Sequence, residues 1–243
     1  MCTIASKLID GSYFLIKTRD PVPWMRWDDE IKLFDTPEDK YKKLIIQNPD
    51  EHEDGYYGGI NEKGVAYIAT YVSVEDNQVS YIRRPYVRLI LDASTAAEAV
   101  EIIKKFNPRI GGNMYVSDKK ESYLIEGAPE KYYIEKVKDQ SVRTNHFLKL
   151  PYKNKSFALP NFQNWSESRL ERAEKLVGEA KNLEDLKDIL RDRKNKEGKA
   201  SICRTEGEVE CCTHSAFIFD PKKVKVYYCQ GNPLKNEFKE FGF

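Results

Sequence analysis

The chain has 243 residues, and 40 Lys plus Arg stand against 39 Asp plus Glu, for a formal net charge of +1. That balance excludes a general attraction for nucleic acid or an anionic membrane. No apolar run reaches the roughly 18 residues a membrane span needs, and Lys7 and Asp10 interrupt the N-terminus too early for a secretory leader. The expectation is a cytoplasmic protein whose five cysteines are thiols.

In chain order, residues 3–9 and 12–17 are strand-like runs around Asp10-Gly11, a dipeptide that marks a tight hairpin. Residues 18–58 read as a long irregular region with a short helix near 37–45, and loops of that length usually carry function. Four glycines lie between Gly55 and Gly64, ahead of a buried-strand pattern over 65–71. Thr95-Ala-Ala-Glu98 is a capping box, and Ala96, Ala99, Val100 and Ile103 form the apolar face of the helix it opens. Runs at 113–117, 122–126 and 131–136 predict a three-strand meander. Helical blocks follow from Ser166 to about Val177 and from Leu183, where Leu186, Ile189 and Leu190 share a face. Strands over 216–219 and 224–229 close the chain. Both helical groups need a sheet to cover, so two sheets with helices outside them satisfy every apolar face. No internal repeat is present.

Cys2 is the residue with the most chemical potential. At an arbitrary position a cysteine is usually a small apolar filler. Removal of Met1 would leave a thiol and a free α-amine on one residue. An amine with a reference pKa of roughly 7.7–8.0 can take the thiol proton near neutral pH. Nucleophile and base then sit on the same residue, and no histidine is required. Lys17-Thr18-Arg19-Asp20 ends the second hairpin strand, and the Asp10-Gly11 turn folds that end back beside Cys2. Asp20 can hold the protonated amine, and Arg19 can favour a thiolate or grip an anionic group. The bland reading of the pair is a surface ion pair at a strand end.

These residues resemble the cysteine-type N-terminal-nucleophile (Ntn) hydrolases, in the branch of the penicillin acyltransferases and more distantly the choloylglycine and penicillin V hydrolases. Met-Cys-Thr opens the chain. Lys17-Thr18-Arg19-Asp20 stands where members often show Arg-Asn-x-Asp, so either Lys17 or Arg19 takes the place of the family arginine. Gly59-Ile-Asn-Glu-Lys-Gly64, Gly111-Gly112-Asn113 with Val116-Ser-Asp118, Thr144-Asn145-His146, Ser168-Arg169, Ile189-Leu190-Arg191-Asp192 and Ser201-Ile-Cys-Arg204 follow in the family's order. The resemblance implies an α+β fold, a four-layer αββα Ntn-hydrolase sandwich with two antiparallel sheets between helical layers, formed by residues 1–243 as a single domain. It implies Cys2 as nucleophile, Asn145 and the Tyr71 N–H as oxyanion donors, Asp20 orienting the amine, and Arg204 near the nucleophile. The implied partner is a small-molecule acyl-amide substrate, with no cofactor; a homo-oligomer stays open. The same scaffold occurs in a non-catalytic family related to Golgi organisation, marked by Asn-Arg-Asp-Glu. Here Thr18-Arg19-Asp20 matches two of the first three positions and Pro21 replaces the glutamate.

Cys203, Cys211, Cys212 and His214 invite a zinc reading, but adjacent cysteines are not a paired Cys-x₂₋₄-Cys spacing, and no metal is expected. The glycines before Lys63 lack the spacing of a phosphate loop. Trp24, Trp27, Tyr56 and Tyr57 either line an acyl pocket or pack on the core.

Overall fold

The computed structural model describes residues 1–21, 28–49, 56–72, 74, 84–105, 112–128, 131–152, 162–193, 198–205 and 212–243. The hairpin forms as the sequence indicates: β1 (Ile4–Ile9) turns at Asp10-Gly11 into β2 (Ser12–Arg19). Both turn residues have positive φ, 49° and 72°, the backbone that an Asp-Gly hairpin turn requires.

Region 18–58 departs from expectation. It contains β3 (Glu30–Phe34), β4 (Lys43–Gln47) and β5 (Tyr56–Asn61), and no helix lies near 37–45. Strand β4 is buried along its whole length, so it shows no alternation, and its Lys43 is an inward-facing cation. Strand β5 runs through Gly58-Gly59, which the sequence presents as loop glycines. A Cβ on Gly58 would stand 2.9 Å from the Phe217 ring, so the missing side chain lets the two sheets approach.

After β6 (Ala66–Ala69) come α1 (Arg84–Ile90) and α2 (Ala96–Lys105). The capping box opens α2: Thr95 Oγ1 accepts from the Glu98 N–H at 3.1 Å, while the Glu98 carboxylate reaches back one residue further, to the Ser94 N–H at 2.7 Å. The meander is β7 (Gly112–Ser117), β8 (Ser122–Ala128) and β9 (Lys131–Val137). Next are β10 (Gln140–Arg143), α3 (Phe162–Glu179), α4 (Leu183–Arg191), β11 (Ser215–Asp220), β12 (Lys225–Gln230) and the short β13 (Lys239–Phe241). Strands β10 and β13 and helix α1 were not evident in the sequence.

One sheet has the order β10-β1-β2-β11-β12-β13, the other β3-β4-β5-β6-β7-β8-β9, and every pairing is antiparallel. Alternation along β2 sets the layers. Phe14 and Ile16 join Leu170, Ala173 and Val177 of α3 and Leu186 and Ile189 of α4. Tyr13 and Leu15 face the second sheet, meeting Leu44, Ile60 and Tyr115. That sheet's outer face packs Tyr67, Val116 and Ile125 against Val87, Val100 and Ile103 of α1 and α2. The result is an α+β, four-layer αββα sandwich. No helix among the described residues is long and apolar enough to cross a membrane.

Candidate functional site at the end of the first sheet

Antiparallel pairing brings four strand ends together at one edge of the first sheet. Ile4 pairs with Arg143 and with Lys17, so continuing both registers by two residues places Cys2 between Asn145 and Arg19. Hydrogen bonds match this geometry. The Cys2 N–H donates to Asn145 Oδ1 at 2.9 Å, and the Met1 amine donates to the main-chain carbonyl of Asp20. The His214 N–H closes the same edge on the Arg19 carbonyl at 2.8 Å.

Asn145 is buried, and both ends of its carboxamide are occupied. Nδ2 donates to the Tyr71 carbonyl at 2.9 Å; Oδ1 accepts from Cys2 N and from Arg169 Nη2 at 3.0 Å. Tyr71 reaches this point because the second sheet is pinned to residues 144–146. Thr70 Oγ1 donates to the Thr144 carbonyl at 2.7 Å, and Asn113 Nδ2 donates to the carbonyls of Thr144 and His146 at 2.9 and 3.0 Å. Gly112 is required for that approach, since a Cβ there would collide with the Thr70 carbonyl. From the helical side, Ser166 Oγ accepts from the Asn145 N–H at 2.9 Å and lies 2.8 Å from His146 Nδ1. Burial lowers the His146 pKa, which keeps the imidazole neutral in this network.

Arg169 escaped the sequence reading as a site residue, although Ser168-Arg169 was among the motifs. It is fully buried, on the stripe of α3 that otherwise carries Leu170, Ala173 and Val177. Its guanidinium bridges three groups: Nη1 donates to the Cys2 carbonyl at 3.0 Å and Thr3 Oγ1 at 3.3 Å, and Nη2 to Asn145 Oδ1. The available signal was positional, because Ser166 and Arg169 put polar groups where the helix presents its apolar stripe.

Asp20 is buried, and its carboxylate accepts from Thr213 Oγ1 at 2.8 Å; the other carboxylate oxygen has no hydrogen-bond partner among the described residues. Thr213 also ties in Arg204, whose N–H it accepts at 2.9 Å, and Asn232 holds the Arg204 carbonyl at 2.7 Å. Arg204 is fully buried, and its Nη1 lies 3.4 Å from the sulfur of Met1. Met1 is itself buried, so in the unprocessed chain its side chain fills the space beside Arg204.

Arg19 lies between the sheets. Nη1 is 3.0 Å from the buried Asp29 carboxylate, Nη2 donates to the Tyr57 hydroxyl at 2.9 Å, and the guanidinium sits 4.0 Å from the Tyr57 ring centre. Burial pushes the Asp29 carboxyl up, against the pull of Arg19 and the Ser215 hydroxyl. Lys17 shares this face and donates to the Tyr57 carbonyl at 2.7 Å. Tyr56 joins the core beneath α1 and α2, whereas Trp24 and Trp27 lie outside the described residues.

Among the described thiols, Cys203, Cys212 and Cys229 are buried, whereas Cys2 is partly exposed. Burial pushes Cys203 up to about 12 and Cys229 up to about 11, so both stay protonated at neutral pH. Among the described residues no cluster of three or more His, Cys, Asp or Glu could hold a metal ion; Cys211 lies outside them.

The family model described as acyl-coenzyme A:6-aminopenicillanic acid acyl-transferase matches residues 9–235. The match begins after Cys2 and spans Arg19, Asp20, Tyr71, Asn145, Arg169 and Arg204. Among solved structures, a mutant of the conjugated bile acid hydrolase from Clostridium perfringens superimposes with a TM-score of 0.60 at 16% identity, covering 100% of this chain and 97% of that one. A second variant of that hydrolase gives 0.58 at 15% identity, with the same coverage. Penicillin V acylase from Agrobacterium tumefaciens gives 0.55 at 14% identity, covering 95% of this chain and 83% of that one. At these identities the likeness is one of fold, that of the Ntn hydrolases. No curated protein matches the chain.

Proposed function

The chain belongs to the acyl-coenzyme A:6-aminopenicillanic acid acyl-transferase family, and from that premise we propose that it is an amidohydrolase or acyltransferase using Cys2, after loss of Met1, to cleave a non-peptide amide of a small acylated substrate. The observation that carries this reading is the Asn145 carboxamide, fixed against the nitrogen of Cys2 at one end and the Tyr71 carbonyl at the other.

Loss of Met1 changes three things at once. The Cys2 nitrogen becomes an α-amine able to act as base. The space beside Arg204, filled by the Met1 side chain, opens. The Asp20 carbonyl loses the Met1 ammonium and, with its buried carboxylate, can hold the new one. The amine takes the thiol proton, and the thiolate attacks the amide carbonyl. The charge that develops on oxygen is met by the second N–H of Asn145 Nδ2 and the Tyr71 N–H. Collapse breaks the carbon–nitrogen bond, the ammonium returns its proton to the leaving amine, and a Cys2 thioester remains. Water resolves it to an acid; an acceptor amine resolves it to a new amide. Arg19, held by Asp29 and Tyr57, is the continued-register neighbour of Cys2, and Asp20 and Arg204 are joined through Thr213. Substrate resemblance to penicillin V or conjugated bile acids, the compounds named for the structural neighbours, is a starting point for screening.

Intact mass of the cell-made protein tests the premise. Loss of one methionine, with a Cys2-dependent thioester trapped from an acyl-amide or activated-acyl probe, is expected. Full turnover by chains that retain Met1 would overturn the amine-base mechanism. Product analysis with and without a competing amine separates hydrolysis from acyl transfer.

A further inference from the structure

We propose that Arg169 is a positioning residue that fixes which way the Asn145 carboxamide points, and so keeps the lone pair of the Cys2 amine available for the thiol proton. The inference rests on the reading above and adds a residue to it.

An asparagine amide can turn over and exchange its donor end for its acceptor end. Against a secondary amide N–H, as in the chain with Met1, only the Oδ1 end fits. A neutral primary amine changes that, because it carries both N–H groups and a lone pair. Turned over, Asn145 could place Nδ2–H on the lone pair, which would spend the base on a neighbour and withdraw the oxyanion donor. Arg169 at one end and the Tyr71 carbonyl at the other oppose this. A guanidinium has five donors and no acceptor, so the Asn145 atom 3.0 Å from Nη2 must be oxygen. The Tyr71 carbonyl, an acceptor, imposes the matching requirement at the other end, 2.9 Å from Nδ2. With Oδ1 held toward Cys2, the amine can meet it only by donating, and its lone pair stays directed to the thiol.

Two further observations fit this role. Arg169 also grips the Cys2 carbonyl and the Thr3 hydroxyl, so it fixes the main chain that bears the amine together with the amide that faces it. It is fully buried, projecting from the apolar stripe of an 18-residue helix, where burying a charge is costly unless its hydrogen bonds are made.

The test compares Arg169→Lys and Arg169→Gln in the mature protein, with thermal unfolding to establish that each folds. Lysine retains a donor-only end; glutamine can donate or accept, so it removes the donor-only constraint at Oδ1 and leaves the Tyr71 carbonyl to hold the orientation. Arg169→Lys should keep kcat within about tenfold of wild type, whereas Arg169→Gln should lose about 10²-fold or more in kcat, the scale of a lost general base, with KM changed by less than about twofold. Equal kcat in the two variants, whether both are impaired or both unimpaired, overturns the inference. If neither folds, a neutron structure of the mature wild type decides: deuterium on the Asn145 atom facing the Cys2 amine overturns it, and deuterium on the opposite atom supports it. A wild-type chain that lacks Met1 yet forms no adduct at Cys2 instead removes the reading on which the inference depends.

Discussion

Two buried charge clusters in this protein are built on opposite plans. In the second sheet, fully buried Lys43 lies 2.6 Å from both Asp39 and Asp92, and Asp39 also receives Arg88 at 2.8 Å. Charge meets charge, and the cluster ties the β3–β4 turn to α1. At the end of the first sheet, the Arg169 guanidinium meets a carbonyl, a hydroxyl and a carboxamide oxygen, and Arg204 rests beside a methionine sulfur that processing would remove. The first arrangement neutralises itself and resembles a rivet. The second aims cations at dipoles around Cys2, whose charge would change in the proposed reaction, and such preorganisation is what acyl transfer calls for.

That contrast can be broken or sharpened by substitution. The largest effect belongs to Cys2→Ala, which should abolish turnover and adduct formation while leaving the unfolding temperature nearly unchanged. An uncleavable N-terminal extension should do the same to turnover, read by kinetics on protein of verified mass. Asn145→Ala should lower kcat by about 10²–10³-fold, the cost of one oxyanion donor. At the other cluster, Asp39→Asn should leave kcat unchanged and cost about 1–3 kcal/mol of stability in denaturant unfolding. A kcat loss there comparable to that of Asn145→Ala would erase the distinction.

Acid should also probe the Lys43–Asp39 cluster. Burial alone would raise the Asp39 carboxyl, but hydrogen bonds from Lys43, Thr36 and Arg88 outweigh it and hold the group down at about 2, against 3.8 in the unfolded chain. A depressed carboxyl stabilises the fold above its unfolded pKa. That stabilisation is lost as the pH falls from about 4 through about 2. Asp39→Asn should therefore flatten the acid limb of stability in that window, as followed by circular dichroism.

How much of this was legible in the sequence follows from what each segment buries. The Asp10-Gly11 hairpin, the α2 cap and the meander carry local signals that tertiary contacts only reinforce, and they formed where expected. Strand β4 was misread because both of its faces are covered, which removes the period of two, and because Lys43 mimics a solvent-facing residue while it is paired inside. Strand β5 was hidden by glycines that serve sheet packing instead of a loop. At the site, Cys2, Asp20, Asn145, Tyr71 and Arg204 could be gathered through the family resemblance, but Arg169 could not be given a task. Its partners are atoms of Cys2, Thr3 and Asn145, residues up to 167 positions away that the register of β1 with β10 brings to one edge beneath α3.

The central claim is most directly tested by mass spectrometry of the cell-made protein after exposure to an activated acyl probe, with peptide mapping of the adduct. The expected product is a chain lacking Met1 that carries one acyl group on Cys2, with Cys203 and Cys229 unmodified. A catalytically active chain that keeps Met1, or an adduct that survives Cys2→Ala, would contradict it.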